Sequence, residues 1–271
     1  MSAPLARTAR RRWSAARVTG WSALALWTCA ALGAVWMIVD GFDADFFRRY
    51  GPRMLGGFGV TLMLTFASVV FGAVLALPVA AGRRAKSGVG YGIATAYTSF
   101  FRGTPLLAQA FLVYYGAGQF REELDAVGLW GFFASPINCA ILTFTLNTAA
   151  YQAEIFRGAI DAVPRGQTEA GMALGLHNGV IFTKLVLPQA MVVALRPFGN
   201  EVILMLKGSA IASVITVFDL MGETKLAFAR SFDFQVYLWA AFIYLSTVEI
   251  LRRFWDVAER RLTRHLRPRA A

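Results

Sequence analysis

The sequence has little charge, little cysteine and little histidine for its length. Charged residues make up 16 % of the 271 residues, whereas a soluble domain usually carries about 25 %. A disulfide scaffold is excluded because there are only two cysteines, Cys29 and Cys139. No metal centre is predicted, since neither His177 nor His265 belongs to a cluster of cysteines or carboxylates. A disordered chain is excluded as well, because 57 % of the residues are hydrophobic.

The sequence also lacks a recognisable nucleotide site. A P-loop requires the pattern Gly-x4-Gly-Lys-Ser/Thr, and the nearest segment, Ala85-Lys86-Ser87, has no glycine before the lysine. No catalytic triad or carboxylate dyad stands out. We therefore predict that this chain is not an enzyme and binds no cofactor of its own.

Long apolar runs dominate what is present. A membrane helix needs about 20 mostly apolar residues, and six runs approach that length. They predict an all-α membrane protein with six transmembrane helices, of which the third, fifth and sixth are interrupted by charged residues. The predicted spans are Trp21–Val39, Gly59–Ala81, Gly88–Tyr115, Ile137–Ala153, Pro188–Val217 and Phe234–Phe254.

Basic residues are distributed unevenly between the segments that join these spans. With the N-terminus inside, the inside segments hold 18 of the 27 lysines and arginines and the outside segments hold 6. The positive-inside rule then predicts that both termini are cytoplasmic. The net charge of +11 is explained by contact with anionic lipid rather than nucleic acid. The first run resembles a signal peptide, but its 19 residues exceed the usual apolar core, which favours a retained helix.

Two of the predicted spans carry polar residues on one face. At about 100° per residue, Asn147, Tyr151 and Glu154 fall within about 60° of one another. Arg196, Asn200 and Lys207 do the same in the next span, whereas Glu201 points roughly 140° away from Arg196. Charges within a bilayer usually face a protein interior or a water-filled path. These residues are therefore predicted to line a translocation path or to bind a substrate.

An amino acid would suit such a path. Its carboxylate needs a cation, which Arg196 or Lys207 could supply, and its ammonium group needs a carboxylate, from Glu154 or Glu201. A structural alternative stays open, in which Glu154 pairs with Arg157 and the long basic side chains reach towards the interface. Arg102, Gly103 and Pro105 are predicted to be structural or to form a gate, because Gly-Thr-Pro can kink a helix.

The longest inside segment, between the fourth and fifth spans, contains signals for short helices. Pro164 and Gly166 are predicted to break the helix that leaves the membrane. Thr168 is predicted to cap a helix over Glu169–Leu174, and Gly175 to end it in a left-handed turn. A second short helix is predicted from Asn178 towards Leu185.

The spacing within this segment resembles a known motif. Glu169-Ala170-Gly171 is followed by three residues, Gly175, nine residues and Leu185-Val186-Leu187-Pro188. This resembles the Glu-Ala-Ala loop of ABC transporter permeases, Glu-Ala-Ala-x3-Gly-x9-Ile-x-Leu-Pro, with departures at Gly171 and Leu185.

The resemblance extends over about Phe58 to Glu259. Within the ABC permeases, the sequence is most similar to those for polar amino acids, and it leans to the histidine, lysine, arginine and octopine branch. The segments that carry it are Phe100–Leu107, Asn147–Gly158, Leu187–Ala190, Gly199–Glu201 with Leu206-Lys207, and 207–222. It implies a bacterial inner-membrane importer with a five-span core preceded by one added helix. The implied division is a basic arm (1–20), an added helix and outer loop (21–56), a permease domain (57–255, coupling loop 158–187) and a basic tail (256–271).

The resemblance also implies partners. ATP and Mg are expected on separate ATPase subunits, which grip the short loop helices and move them. A second permease subunit, identical or homologous, an extracytoplasmic substrate-binding protein and membrane lipid are the other expected partners, without nucleic acid. The residues expected to couple to the ATPase are Glu169, Ala170, Gly171, Gly175, Leu187 and Pro188. The small residues among them are expected to let the partner backbone come close.

An alternative function, from a different class of transporter, stays open. Glu154, Glu201 and Arg196 could form an ion or proton relay in a secondary transporter. Such a protein would need no loop partner and would be expected to show internal repeats, which the two halves of this sequence do not show.

Overall fold

A computed structural model describes residues 15–41, 43–85 and 87–263, and those residues form helices and no strand. The predictions made for the arm before residue 15 and for the tail after residue 263, including His265, lie outside the described residues. The helices are α1 (Ala15–Asp40), α2 (Ala44–Arg84), α3 (Val89–Gly103), α4 (Leu106–Gln119), α5 (Arg121–Ala126), α6 (Trp130–Phe133), α7 (Pro136–Asp161), α8 (Arg165–Ala173), α9 (Asn178–Val180), α10 (Leu187–Gly208), α11 (Leu220–Ser231) and α12 (Gln235–Leu262). A π-helix, Ile181–Val186, joins α9 to α10, and a 3₁₀ helix, Ser209–Ile215, follows α10.

The prediction of an all-α membrane protein is confirmed at the level of fold class. Three of the described helical stretches are long and apolar enough to cross a membrane, namely Ala16–Asp40, Ala44–Arg84 and Asn178–Ile215. The third predicted span is wrong as a single helix, because it is divided into α3 and α4. Pro105 has no N–H and restricts Thr104 to an extended conformation, with φ −114° and ψ 147°, which ends α3.

Helices α2 and α7 form the centre of the bundle, and α10 packs against α7. Phe144 of α7 is fully buried in the main apolar cluster together with Leu64 of α2. Gly72 lies where α2 crosses α7, and a Cβ there would come within 2.5 Å of the Thr148 methyl group. A glycine therefore sets the distance between the two central helices.

Gly72→Ala is expected to destabilise the protein by about 1–3 kcal/mol, because the added methyl group overpacks a tight helix crossing. Gly59→Ala is the matched control in the same helix, since a Cβ on Gly59 meets no atom within 4 Å. Alanine is the better helix former, so the control should be neutral or slightly stabilising. Thermal unfolding in detergent checks both variants, and equal melting temperatures would contradict the packing argument.

Helix α1 lies at the edge of the bundle and packs against α12. The Gln235 side chain donates a hydrogen bond of 3.2 Å to the carbonyl oxygen of Met37, near the end of α1. The apolar side chains of α1, such as Trp27 and Trp36, are mostly exposed. Such a surface is typical of a helix that faces lipid, since an exposed apolar helix in water would be unstable.

The segment between α7 and α10 differs from the prediction at both short helices. Helix α8 begins at Arg165, directly after Pro164, so Thr168 is not its cap and Gly166 lies inside it. The second predicted helix is a π-helix that runs on into α10 without a break. Pro188 lacks the N–H that would close an α-turn at this junction, which favours the wider turn. The left-handed turn at Gly175 is confirmed, with φ +71°.

Candidate functional site

A cluster of charged side chains surrounds Glu154 of α7. Its Oε1 accepts a hydrogen bond of 2.7 Å from Arg83 of α2, and its Oε2 accepts one of 2.7 Å from Arg157. Arg102 of α3 approaches the same carboxylate at 3.9 Å. Only 12 % of the Glu154 side chain is exposed, so little water competes for the carboxylate. One carboxylate thus connects three arginines from three helices, and we call this group the Glu154 cluster.

The Glu154 cluster has an outer layer that the same arginines reach. Arg83 also donates a hydrogen bond of 2.6 Å to Thr95 of α3. Asp161 at the end of α7 accepts from Arg157 at 3.2 Å and from Arg84 at 3.3 Å. Four arginines and two carboxylates therefore meet here, which leaves an excess of positive charge in the cluster.

The pairing of Glu154 with Arg157, which the sequence offered as the structural alternative, is present. It is part of a larger arrangement, because Arg83 occupies the other carboxylate oxygen. The charge of Glu154 is therefore already matched by arginines, which lowers its attraction for the ammonium group of a substrate. The excess cations are better suited to a carboxylate.

Arg102 lies between the Glu154 cluster and the break that separates α3 from α4. Its guanidinium stacks over the Tyr151 ring, 5.3 Å from the centroid, as cation–π pairs do. Gly103 is the last residue of α3, and Pro105 directly precedes α4. The three residues predicted to be structural or gate-forming therefore lie at a real discontinuity of the helix.

A buried pair of amides fixes this discontinuity. Asn147 of α7 donates hydrogen bonds of 3.0 Å to the carbonyl oxygen of Phe101 and of 2.9 Å to Gln109. The Gln109 amide in turn donates to Thr104, at 2.8 Å to its hydroxyl group. The carbonyls left free by the helix break are thereby satisfied. Asn147 is consequently a buried residue that holds the α3–α4 break in position.

The carboxylate of Glu201 connects α10 to α7. Thr148 donates a hydrogen bond of 2.8 Å to it, and Gln152 donates one of 3.1 Å to Thr148. Glu201 is 6 % exposed, whereas Arg196, Asn200 and Lys207 on the same helix are exposed. The predicted difference in direction between Glu201 and the other three residues is therefore confirmed.

The three exposed residues of α10 form a polar stripe on the surface of this chain. Arg196 makes a salt bridge of 3.3 Å to Glu259 of α12, although 80 % of its side chain is exposed. Asn200 and Lys207 have no hydrogen bond or ion pair with another described residue. Within this chain the two stripes lie apart, because the α7 stripe faces α3 and the α10 stripe faces outward.

The loop that resembles the Glu-Ala-Ala motif presents an exposed helix. Glu169 and Ala170 of α8 are exposed, as is Gly175 after its end. Met172 and Leu174 are large apolar side chains with 55 % and 78 % exposure on the same segment. An apolar surface beside a carboxylate is typical of a protein-binding surface.

Gly171 has a different role from the one predicted. It is buried, and a Cβ there would lie 2.9 Å from Ile181 and 3.2 Å from Leu185. The glycine therefore brings α8 close to the π-helix of its own chain rather than to a partner. Leu187 and Pro188 are the first two residues of α10, where they connect this packed loop to a candidate span.

Sequence reasoning missed several residues that the fold brings to the site. Arg83 and Asp161 are two of them, because the α2–α7 crossing that joins Arg83 to Glu154 and Arg84 to Asp161 could not be predicted from periodicity. Gln109, Thr148 and Gln152 are uncharged polar residues within apolar runs. Their side-chain polarity at membrane depth was the one available signal.

No group of three histidine, cysteine, aspartate or glutamate side chains among the described residues could hold a metal ion. His177 is exposed, and its Nδ1 accepts a hydrogen bond from the Gly179 amide at the start of α9. Cys29 and Cys139 are unpaired thiols.

Two proteins with similar sequences are permease proteins of transport systems. The nopaline transport system permease protein NocM of Agrobacterium fabrum is 41 % identical over 80 % of this chain and 91 % of its own length. The arginine ABC transporter permease protein ArtM of Escherichia coli is 35 % identical over 79 % of this chain and 96 % of its own length. These relatives are transport components, and they give no support to the secondary-transporter alternative.

Solved structures agree with the sequence matches. A chain of an amino acid ABC transporter crystallised with histidines superposes with a TM-score of 0.73 and 32 % identity, over 81 % of this chain and 99 % of that chain. A chain of the MetNI methionine ABC transporter superposes with a TM-score of 0.63 over 78 % of this chain and 96 % of that chain, which at 21 % identity shows the fold alone. Residues 68–264 match the family described as "Binding-protein-dependent transport system inner membrane component". The chain thus belongs to the family of inner membrane components of binding-protein-dependent transport systems.

Proposed function

We propose that this chain is the membrane-spanning permease subunit of an ABC importer for polar amino acids, leaning to basic amino acids and opines. The observation that carries the proposal is the exposed loop helix α8, which packs through Gly171 onto the π-helix at the start of α10. A displacement of α8 by a partner would reach α10 because α8 packs on the π-helix and the π-helix runs directly into α10. This chain has no P-loop, so separate ATPase subunits would bind the ATP and Mg.

The coupling surface of the proposed permease consists of exposed residues of the loop. Glu169, Ala170 and Gly175 would meet the ATPase, with Met172 and Leu174 supplying apolar contact area. Gly171, Leu187 and Pro188 would transmit the movement inside this chain. A helix transmits a displacement better than an irregular segment, because its hydrogen bonds hold its length.

The translocation path of the proposed permease includes the cationic side of the Glu154 cluster. Arg102 and Tyr151 are partly exposed beside Glu154, where Arg102 could receive a substrate carboxylate in a charge-assisted hydrogen bond. Glu201 and the exposed residues Asn200, Lys207 and Arg196 would line the path from α10. Gly103 and Pro105 would let the α3–α4 break act as a gate, and Asn147 would hold that break in place.

A second permease subunit is the proposed partner for the polar stripe of α10. Asn200 and Lys207 lie in a candidate span yet contact no polar group among the described residues, and a lone cation facing lipid costs about 2.5–3.5 kcal/mol. An identical or homologous permease would cover the stripe and enclose a path between the two chains. An extracytoplasmic binding protein would deliver the substrate to that path.

The proposed topology has six spans with both termini in the cytoplasm of a bacterium. It places the loop helix α8 and the Glu154 cluster at the inner face. The proposed division of the chain is the one predicted from the sequence. It consists of an added helix within 21–56, a permease domain 57–255 with its coupling loop 158–187, and basic segments 1–20 and 256–271. The basic ends would contact anionic lipid.

Purification of the tagged chain from its native membranes in mild detergent tests the proposal. We expect an ATPase subunit to co-purify in stoichiometric amount and ATP hydrolysis to be measurable in the complex. A chain that purifies alone and drives uptake along an ion gradient would overturn the proposal. The matched control is the same membrane preparation carrying the tag on an unrelated inner-membrane protein.

A further inference from the structure

Two cavities meet at the end of the bundle that carries the loop helix α8. The first is an apolar crevice of about 550 Å³ between α2, α7 and α10, which we call the apolar crevice. The second is a polar basin of about 830 Å³ between the end of α2 and the loop, which we call the arginine basin. Arg84, Ile160 and Phe182 line both cavities, so the two adjoin along these three side chains. Each volume lies in the range of about 300–1,000 Å³ that is common for ligand pockets.

The apolar crevice has a floor of small side chains and an open rim. Ala159, Ala190 and Ala194 are nearly fully buried at its base, whereas Leu77 and Met191 on its rim are 61 % and 55 % exposed. The one polar side chain in its lining is Arg84. A narrow apolar channel at the side of a membrane helix bundle can bind a hydrocarbon chain, but it does not favour the binding of a polar molecule.

The arginine basin differs from the apolar crevice because several charged side chains line it. Arg83, Arg84 and Arg165 line it together with one carboxylate, Asp161. Arg83 and Arg84 are engaged with Glu154 and Asp161 respectively, but Arg165 is exposed and pairs with no other described residue. Thr168 and Asn178 add hydrogen-bonding groups from the loop. The basin therefore carries an excess of cationic donors that suits a phosphate group.

We propose that the two cavities together bind one anionic phospholipid, with an acyl chain in the apolar crevice and the phosphate headgroup in the arginine basin. A lipid is favoured because an apolar crevice adjoins a basin lined by arginines, and a free phosphate or an acidic peptide would leave the crevice unused. The headgroup would bridge Arg84 of α2 to Arg165 of α8, and the acyl chain would contact Phe182 of the π-helix. Lipid would thereby stabilise one position of the coupling loop.

The assignment of this end to the cytoplasmic leaflet rests on the proposed function, whereas the lipid site itself does not. Anionic lipids are abundant in that leaflet and contribute about 1 kcal/mol of attraction per basic side chain near the surface. The binding test below uses the purified chain without an ATPase. Failure of the importer assignment and failure of the lipid site are therefore distinguishable.

Native mass spectrometry of the purified full-length chain, with phosphatidylglycerol and phosphatidylcholine of equal acyl length, tests the site. We expect the wild type to retain one phosphatidylglycerol in preference to phosphatidylcholine. Arg84→Gln combined with Arg165→Gln should weaken that retention by about tenfold. The matched control is Arg48→Gln with Arg49→Gln, which removes two exposed arginines from α2 outside both cavities and should leave retention unchanged.

A second variant tests the acyl part of the site without touching a charge. Ala81 is exposed on the rim of the crevice, and Ala81→Phe should fill the crevice and lower retention of the lipid by about tenfold, which it would not do for a free phosphate. Ala241→Phe, at an exposed alanine of α12 outside the crevice, is its control. Equal retention of both lipids by the wild type, or unchanged retention in both test variants, would overturn the proposal. Dissociation of a permease dimer by Ala81→Phe with lipid retention unchanged would assign the crevice to a second copy and overturn it as well.

Discussion

Glu154→Gln is expected to lower substrate uptake at least tenfold and to destabilise the chain by about 3 kcal/mol. The substitution keeps the size of the side chain but removes the one carboxylate that Arg83, Arg102 and Arg157 share. Three cations from α2, α3 and α7 would then repel one another, with Asp161 left as a counter-charge for Arg157 alone. Uptake of labelled polar amino acids by cells with the complete transporter, together with thermal unfolding of the purified chain, measures both effects.

Glu249→Gln is the matched control for this experiment. Glu249 also pairs with two arginines, Arg252 and Arg253, at 2.8 Å and 2.7 Å, but all three residues lie on α12, and the two arginines are largely exposed. Exposed pairs within one helix contribute at most about 0.5 kcal/mol. A control variant that loses as much stability and uptake as Glu154→Gln would contradict the special role of the Glu154 cluster.

A double-mutant cycle distinguishes a direct interaction between Glu154 and Arg83 from a general effect of each substitution on folding. Arg83→Gln alone should also destabilise the protein, because it removes one of the two short contacts to Glu154. The double variant should be less harmful than the sum of the two single variants, with a coupling free energy of about 1–3 kcal/mol. Additive effects would show that the two side chains act independently.

Gly175→Asp is expected to abolish most of the co-purification of the ATPase and to lower uptake at least tenfold. Gly175 is exposed and no atom lies within 4 Å of a Cβ built on it, so the folded chain can accommodate a side chain there. In the proposed complex the aspartate would be buried against the partner without a counter-charge, which is costly. The ratio of ATPase to permease after affinity purification measures the loss.

Gly175→Asn is the control that separates charge from backbone strain. Asparagine and aspartate have similar size and both tolerate the left-handed conformation that φ +71° requires. We expect the asparagine variant to retain more ATPase than the aspartate variant at equal thermal stability. Full ATPase content in Gly175→Asp would show that residue 175 does not lie in the coupling surface.

The sequence predicts the helical class, the family and the position of the loop well, because these depend on patterns within short windows. Apolar run length, the bias of basic residues and the spacing from Glu169 to Pro188 are all local signals. The left-handed turn at Gly175 is predicted for the same reason, since glycine is the default residue at that conformation. The division of the third span at Thr104–Pro105 was only partly predictable, as a proline can either kink or end a helix.

The Glu154 cluster is harder to predict from the sequence because its members come from three helices. Glu154 and Arg157 are neighbours on one helix, so their pairing follows from a spacing of three residues. The contact of Glu154 with Arg83 depends on how α2 crosses α7, and a small residue such as Gly72 sets that crossing. Helical periodicity places a residue on a face but does not say which helix that face meets.

The packing of Gly171 against Ile181 has a consequence for how this chain can vary during evolution. The family pattern has alanine at the position of Gly171, and an alanine here would place its Cβ 2.9 Å from the Ile181 side chain. A larger residue at 171 therefore requires a smaller or displaced side chain at 181, and the two positions form one unit of variation. Gly175 is limited by its backbone angle instead, so it can change without a compensating substitution elsewhere. Two glycines four residues apart in one motif are thus expected to follow different substitution rules, one set by volume and the other by conformation.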